Sequence, residues 1–182
     1  MDAIVAAALK KWPNVPHCYA WLALDARGDW YMRDDRIQAA GPFPRVKGSR
    51  IDHEKLREFI ARNYASDDTG AWFFQNGPQR VYVELEAAPW VWRLQADAAS
   101  GVAVTSHSGL PATAGEAYVD ELGRLFLASE RGLGIVHTLD MGVASDAVER
   151  GLWQPRDATF ATLVERFGHR LSPAADRSRV SG

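Results

Sequence analysis

Residues 25–32 read Asp-Ala-Arg-Gly-Asp-Trp-Tyr-Met, an acidic turn followed directly by a mainly apolar and aromatic run. An Asp at the first position of such a turn accepts hydrogen bonds from backbone N–H groups two or three residues ahead. A Gly at the fourth position adopts the positive φ that closes a type I turn with a bulge. The stretch therefore predicts a β-hairpin with strands at residues 17–24 and 30–32.

The same Asp-x-x-Gly pattern recurs twice along the chain. Copies begin at Asp25, Asp67 and Asp120, and each continues into an apolar, an aromatic and another apolar residue. Short copies at uneven spacing are typical either of internal repetition or of a common turn sequence used independently. On both interpretations the Asp residues form turns, so they are neither a catalytic set nor an EF-hand. We expect positive φ at the three glycines, Gly28, Gly70 and Gly123.

The clearest helix is predicted at residues 53–64. Asp52 can cap it, and Leu56, Phe59 and Ile60 share one face that we expect to pack on a sheet. Further strands are predicted at residues 72–74, 80–86, 90–94, 102–105, 118–119, 125–127 and 134–139. Further helices are predicted at residues 3–9, from Asp140 or Ser145 onward, and at 158–167, before a disordered tail at 172–182.

This pattern predicts an α+β fold of repeated β-hairpins, mainly antiparallel, with a few packed helices. We expect an N-terminal part at residues 14–95 with two hairpins, and a C-terminal part at residues 96–168 with the third. A chain of 182 residues is long enough for this arrangement.

Charge and composition exclude several classes of protein. The chain has 21 Lys and Arg against 23 Asp and Glu, so no general attraction to nucleic acid or anionic membrane is expected. The apolar stretch at residues 3–9 is too short to span a bilayer, and it lacks the flanking signals of a secretory leader. The single cysteine, Cys18, fits a reducing compartment. We therefore expect a cytoplasmic protein.

Several of these residues also follow a longer pattern: an Asp-x-x-Gly-x-Trp-Tyr hairpin, a helix with Leu and Phe, a second hairpin, and an acidic residue near Ala-Pro-aromatic. They are Asp25, Gly28, Trp30, Tyr31, Ile37, Leu56, Phe59, Gly70, Phe73, Glu86, Ala88, Pro89 and Trp90. Over roughly the first half of the chain, the pattern resembles a bacterial domain family of unknown function.

The resemblance implies an α+β fold with repeated hairpins and a ligand-sensing or signalling role, without an established activity. The chain departs from the family pattern in a longer loop after Ile37. It also has Ala87 where the family has a second acidic residue beside Glu86. Any site that needs that second carboxylate is therefore in doubt.

Signals for metal or cofactor binding are weak, and we predict neither. The five histidines are not spaced as ligands: His17, His53, His107, His137 and His169. Ser106-His107-Ser108 offers a nucleophile beside a base, although a catalytic triad is defined by geometry rather than sequence order. Arg45, Lys47 and Arg50 precede a helix start, where they suit either an anion or, as we favour, an exposed basic loop.

One set of residues has the composition of a small-ligand site. Trp90 and Trp92 lie on one face of a strand, and we predict that polar residues from neighbouring strands line a pocket with them. These polar residues are Glu84, Glu86, His137 and Asp140. The alternative is that the tryptophans belong to the core and the polar residues to a solvated face.

The leading functional hypothesis is a non-catalytic module that binds a small molecule or peptide and serves regulation or signalling. One alternative is a hydrolase-like enzyme that uses His107 or His137 with a nearby carboxylate. The other is a protein–protein interaction module with exposed aromatic residues, and homodimerisation is open.

Overall fold

The computed structural model describes the backbone of residues 1–180 and the side chains of residues 1–177. The chain forms two compact units. Unit 1 contains residues 1–25, 29–86 and the chain from His169 onward, and unit 2 contains residues 26–28 and 87–168. The boundary predicted at residue 95 falls inside a strand, Trp90–Asp97, that pairs within unit 2.

Unit 1 contains one six-stranded sheet in the order β3-β2-β1-β6-β5-β4. Its neighbouring strands are antiparallel except for β1 and β6, which are parallel. The strands are β1 (Cys18–Leu24), β2 (Trp30–Met32), β3 (Ser49–Arg50), β4 (Tyr64–Ser66), β5 (Trp72–Asn76) and β6 (Gln79–Leu85).

Four helices belong to unit 1: α1 (Ala3–Lys11), α2 (Asp35–Ala40), α3 (Glu54–Arg62) and α6 (Pro173–Val180). Helix α3 covers one face of the sheet, as predicted. Its Ile60 is fully buried, and Leu56 and Phe59 pack against the same core. That core includes Leu22 and Phe74 from the sheet. Burial of this apolar stripe is what stabilises so short a helix.

Unit 2 contains a seven-stranded sheet in the order β13-β10-β11-β12-β7-β8-β9. Pairs β7–β12 and β10–β13 are parallel, and the other neighbours are antiparallel. The strands are β7 (Trp90–Asp97), β8 (Gly101–Ser106), β9 (Pro111–Ala112), β10 (Ala117–Val119), β11 (Leu125–Ser129), β12 (Gly132–Val136) and β13 (Arg156–Asp157). Its helices are a short 3₁₀ helix (Thr138–Asp140), α4 (Met141–Glu149) and α5 (Phe160–Phe167).

The two sheets share a strand order. In unit 1 the order is β3-β2-β1-β6-β5-β4, and in unit 2, leaving out β13, it is β9-β8-β7-β12-β11-β10. The parallel pair β1–β6 of the first sheet corresponds to the parallel pair β7–β12 of the second. The α+β class with mainly antiparallel pairing is confirmed.

The Asp-x-x-Gly turns have the expected geometry. Gly28, Gly70 and Gly123 have φ of 83°, 81° and 73°, so the predicted positive φ is confirmed at all three. In each turn the Asp carboxylate accepts a hydrogen bond from the backbone N–H four residues ahead, at 3.0, 3.1 and 2.9 Å. The carboxylates are therefore used for local structure.

A fourth turn of this kind has Ser in place of Asp. The Ser106 hydroxyl accepts from the N–H groups of Ser108 and Leu110, and Gly109 has φ of 79°. The backbone N–H of Gly109 also donates to the Ser106 carbonyl, as Gly123 does to Asp120. Ser106 and Ser108 thus close the β8–β9 hairpin.

Two local predictions were wrong, and one helix was missed. His53, not Asp52, caps α3: its Nδ1 accepts from the N–H of Leu56, whereas Asp52 pairs with Arg50. Helix α2 was not predicted, although Asp34 caps it through the N–H of Ile37. The predicted disordered tail contains α6, and residues 181–182 of that prediction lie outside the described residues.

Candidate functional site

The six residues predicted to line one ligand site belong to two units. Trp90, Trp92, His137 and Asp140 are in unit 2, and Glu84 and Glu86 are in unit 1. The residues of each unit are therefore described separately.

Trp90 and Trp92 are packed into unit 2. They are 6% and 0% exposed, and their rings stack at 6.0 Å between centroids. Each indole N–H donates to a backbone carbonyl, that of Arg131 for Trp90 and that of Leu127 for Trp92. Both polar atoms are thus satisfied within the unit, and little of either residue is accessible to a ligand.

His137 and Asp140 lie at the end of β12. The His137 ring accepts from the N–H of Leu139, and Asp140 accepts from Arg93 Nε at 2.6 Å and from the N–H of Leu94 at 3.0 Å. The hydrogen bond from Arg93 lowers the pKa of the Asp140 carboxyl. Each side chain thus holds local backbone or a neighbouring strand in position.

His107 has a strongly shifted acidity. Its Nδ1 accepts from the N–H of Val91, and its Nε2 is shielded from solvent. Burial lowers the pKa of His107 to about 4, so the ring is neutral near pH 7. The Ser106 hydroxyl accepts hydrogen bonds within the adjacent turn, and the His107 ring accepts one from the backbone of β7. The hydrogen bonds of the Ser-His-Ser segment therefore stabilise local structure.

Glu86 takes part in a polar cluster on one face of the unit 1 sheet. Lys47 Nζ lies 2.8 Å from Asp25 and 3.2 Å from Glu86, and Tyr31 donates to Asp25 at 3.2 Å. Burial would lower the pKa of Lys47, but the hydrogen bond and charge of Asp25 raise it overall. The predicted exposed basic loop is thus partly neutralised, since Lys47 lies between two carboxylates.

Glu84 lies on the same face and is 5% exposed. It accepts hydrogen bonds from the Ser172 side chain and, at 3.2 Å, from the N–H of Ala174 in the first turn of α6. Burial raises the pKa of the Glu84 carboxyl. The carboxylate therefore anchors the returning C-terminal helix to β6.

The opposite, apolar face of this sheet contains a distortion. Between paired positions, β1 advances four residues from Cys18 to Leu22 while β6 advances two from Val81 to Val83. Within this bulge Ala20 has φ of 64°, the one non-glycine residue in residues 1–180 with positive φ. Such a conformation is strained for a residue with a Cβ.

Arg33 supports the bulge and is 3% exposed. Its backbone N–H donates to the Trp21 carbonyl at 2.9 Å. Its guanidinium donates to the carbonyls of Gly41, Val46 and, at 3.5 Å, Ala20. A buried cation thus binds the bulge and the following loop to each other.

Beside the bulge lies a pocket of about 250 Å³ between α3 and the sheet. Its floor is apolar and buried: Leu22, Ile51, Ile60 and Phe74. Its rim consists of Cys18, Trp21, Met32, Leu56, Asn76 and Val81. Trp21 and Met32 are 39% and 48% exposed, so the rim presents large apolar side chains to solvent.

Sequence reasoning missed this pocket. Cys18–Leu24 is a continuous, mainly apolar run, which is typical of a regular buried strand and carries no signal of a bulge. Nothing in the sequence indicates that Ala20 has positive φ, because that conformation is normally left to Gly, Asn or Asp.

Two further features concern metals and membranes. Among the side chains of residues 1–177, no three His, Cys, Asp or Glu groups are placed to hold a metal ion. Across the described part of the chain, no helix has both the length and the apolar character needed to cross a membrane.

A family model described as "Protein of unknown function (DUF2946)" matches residues 1–176. The chain belongs to this family. The expected membership of a family of unknown function is thereby confirmed, while the match carries no information about the hairpin motifs, a bacterial origin or a signalling role. No protein of curated function matches the DUF2946 chain significantly.

Two solved structures resemble this DUF2946 protein. A DUF1285 family protein from Silicibacter pomeroyi DSS-3 superposes with a TM-score of 0.50 and 14% identity, covering 80% of this chain and 84% of the other. A DUF1285 family protein from Shewanella baltica OS155 gives a TM-score of 0.47 and 16% identity, covering 69% and 91%. The first similarity indicates a shared fold.

The lining of this pocket in the DUF2946 protein is suited to an apolar molecule, since binding would remove apolar surface from water. The residues around it are uncharged, and Cys18, Asn76 and the indole N–H of Trp21 supply its polar groups. Cys18 is therefore its one side chain of an acid–base type.

Proposed function

We propose that this protein binds a small, mainly apolar molecule in the pocket of unit 1 and does not turn it over. The observation that carries the proposal is the pocket beside the bulge in β1, where the exposed side chains of Trp21 and Met32 border an apolar floor next to α3. A pocket with an apolar floor and few polar groups has the usual composition of a small-molecule site.

The strain at Ala20 supports a functional use of the bulge. A non-glycine residue with positive φ costs on the order of 1–3 kcal/mol, and such residues cluster at ligand sites. A regular strand would avoid this cost and pair throughout with β6. The buried Arg33 holds the costly conformation in place.

The composition of the pocket supports binding without chemistry. General acid–base catalysis uses His, Asp, Glu, Lys, Tyr or Cys within hydrogen-bond reach of the substrate. Of these types, Cys18 alone lines the pocket. A module that binds without turnover suits a regulatory or signalling role, and a cytoplasmic location, which the single cysteine favours, is part of the proposal.

The matched strand order supports a second structural proposal, that the two units are internal repeats. The helix α3 lies between β3 and β4 in unit 1, whereas residues 113–116 connect the corresponding strands β9 and β10. The helix that covers the pocket therefore has no counterpart at this position of unit 2.

A site at Trp90 and Trp92, with His137 and Asp140, stays a prediction. It requires a ligand to reach residues that are 6% and 0% exposed and whose indole N–H groups already donate to backbone carbonyls, whereas the unit 1 pocket has an exposed rim at Trp21 and Met32. Backbone amide shifts distinguish the two locations.

The test is a titration of the ¹⁵N-labelled protein with 1-octanol, followed by amide chemical shifts. We expect saturable shifts that cluster at Leu22, Met32 and Ile60, and that disappear in Val81→Phe, which fills the pocket. The matched control is Val148→Phe, on an exposed position of α4. Shifts around Trp90 instead would favour the alternative site, and binding unchanged in a folded Val81→Phe would refute the proposal.

A further inference from the structure

The pocket has a polar end and an apolar end. Cys18, Val81 and Phe74 form one row across β1, β6 and β5, since Cys18 pairs with Val81 and Val81 with Phe74. Asn76 lies two residues beyond Phe74 on the same face, because side chains alternate along a strand. Cys18 and Asn76 therefore lie toward the β5–β6 turn, while the indole of Trp21 belongs to β1 next to Leu22.

The other end is mainly apolar. Leu22 pairs with Met32 across β1 and β2, and Ile51 follows β3 directly. These three residues line the pocket together with Leu56 of α3. An elongated ligand therefore has one favourable orientation, with its apolar part over Leu22 and its polar part near Asn76.

The charge of the lining selects among polar groups. Asn76 is exposed, and the lining residues are all uncharged, so an ionised group that passes Asn76 onto the apolar floor would lose hydration without gaining a counter-ion. The amide of Asn76 has both donors and an acceptor, and it therefore suits a hydroxyl or amide, which also donates and accepts. A carboxylate would use only the donors of this amide and an ammonium only its acceptor, and either ion would keep its charge without a partner in the lining.

The volume sets the size of the ligand. At about 250 Å³ the pocket is slightly smaller than the roughly 300–1,000 Å³ of sites for drug-sized ligands. A single short chain or a single ring is therefore the appropriate size.

We propose that the ligand is a small uncharged amphiphile, with an alkyl or aryl part over Leu22 and a hydroxyl or amide group at Asn76. This inference rests on the proposed function, because it concerns the same pocket.

The experiment compares probes of one chain length: 1-octanol, octanoate and octylammonium at pH 7, with dissociation constants taken from amide chemical-shift titrations. We expect 1-octanol to bind at least about tenfold more tightly than either ion. Asn76→Leu should weaken 1-octanol binding about two- to tenfold, the value of one neutral hydrogen bond. Asn14→Leu, at an exposed position outside the pocket, is the matched control and should leave binding unchanged.

The two proposals fail differently. If 1-octanol binds and Val81→Phe abolishes binding, but either ion binds within threefold or Asn76→Leu has no effect, the ligand class is wrong and the pocket function stands. If none of the probes binds, or if a folded Val81→Phe binds as the wild type does, the proposed function is wrong and this inference falls with it. Thermal unfolding by circular dichroism establishes that each variant is folded.

Discussion

The indole of Trp92 crosses strand β12 at Gly134 and reaches the carbonyl of Leu127 on the strand beyond. Gly134 pairs with Leu127 on one side and with Trp90 on the other, so it lies directly beneath this path. The N–H of Trp92 donates to Leu127 at 2.9 Å. A Cβ on Gly134 would lie 2.8 Å from Trp90 Cβ and would overlap the Trp92 ring.

Gly134→Ala should therefore destabilise the protein. The added methyl must displace the indole of Trp92, and overpacking of this kind costs about 1–3 kcal/mol. Urea unfolding followed by circular dichroism measures the change. Gly142→Ala is the matched control, because that helical glycine has open space around it and should gain up to about 1 kcal/mol. Equal stability of Gly134→Ala and the wild type would contradict the packing described.

The repeated turns give a second prediction, on two glycines with similar φ. A Cβ added to Gly123 would meet open space, whereas a Cβ on Gly28 would lie 2.7 Å from His107 Cβ. Gly123→Ala should cost about 1–2 kcal/mol through positive φ alone. Gly28→Ala should cost about 1–3 kcal/mol more through overlap. Urea unfolding of both variants checks the order, and a larger loss for Gly123→Ala would contradict it.

Local structure was predictable where a residue type has a local physical role. Gly70 and Gly123 were assigned positive φ because Asp-x-x-Gly turns need it, and the structure confirms this. The same reasoning applied to Ser would have found the turn at Ser106, since a hydroxyl also accepts from nearby N–H groups.

The arrangement of the sheets was not predictable from local patterns. Parallel pairing of β1 with β6 joins residues that are far apart in sequence, and hairpin signals carry no information about it. The pocket depends on a bulge at Ala20 that is held by Arg33, a contact between different elements. Trp90 and Trp92 were correctly assigned to one strand face, but composition could not distinguish core from pocket.

The lowered pKa of His107 predicts that the folded protein loses stability in mild acid. Its pKa is lowered from 6.5 to about 4 by burial, so the unfolded chain binds a proton more readily than the folded protein. The free energy of unfolding is therefore unaffected by this group above pH 6.5, and it decreases as the pH falls from 6.5 toward 4. Linkage gives a loss of up to about 3 kcal/mol.

The pH dependence of urea unfolding measures this loss, and His107→Gln should remove it between pH 6.5 and 4. NMR titration of the five imidazole rings provides an independent check, since the His107 ring should stay neutral at pH 5. A His107 pKa near 6.5 would show that its ring is hydrated.

The raised pKa of Glu84 predicts the opposite dependence of stability on pH. Burial raises the pKa of its carboxyl above 4.5, so the folded protein holds this proton more tightly than the unfolded chain does. This contribution to stability is largest below pH 4.5 and decreases as the pH rises through the raised folded pKa. Near pH 7 the protein therefore carries the cost of a buried carboxylate, partly offset by the hydrogen bonds from Ser172 and Ala174.

Glu84→Gln tests this account, because the amide oxygen can still accept from the N–H of Ala174 while the charge is removed. We expect the variant to gain stability relative to the wild type at pH 7–8 and to lose that advantage as the pH approaches 4.5. Unfolding in urea across this range provides the measurement, with Glu58→Gln on the exposed face of α3 as the matched control. If the charge itself were needed to hold the first turn of α6, Glu84→Gln would be less stable than the wild type at pH 8, and hydrogen exchange at the amide of Ala174 would be faster.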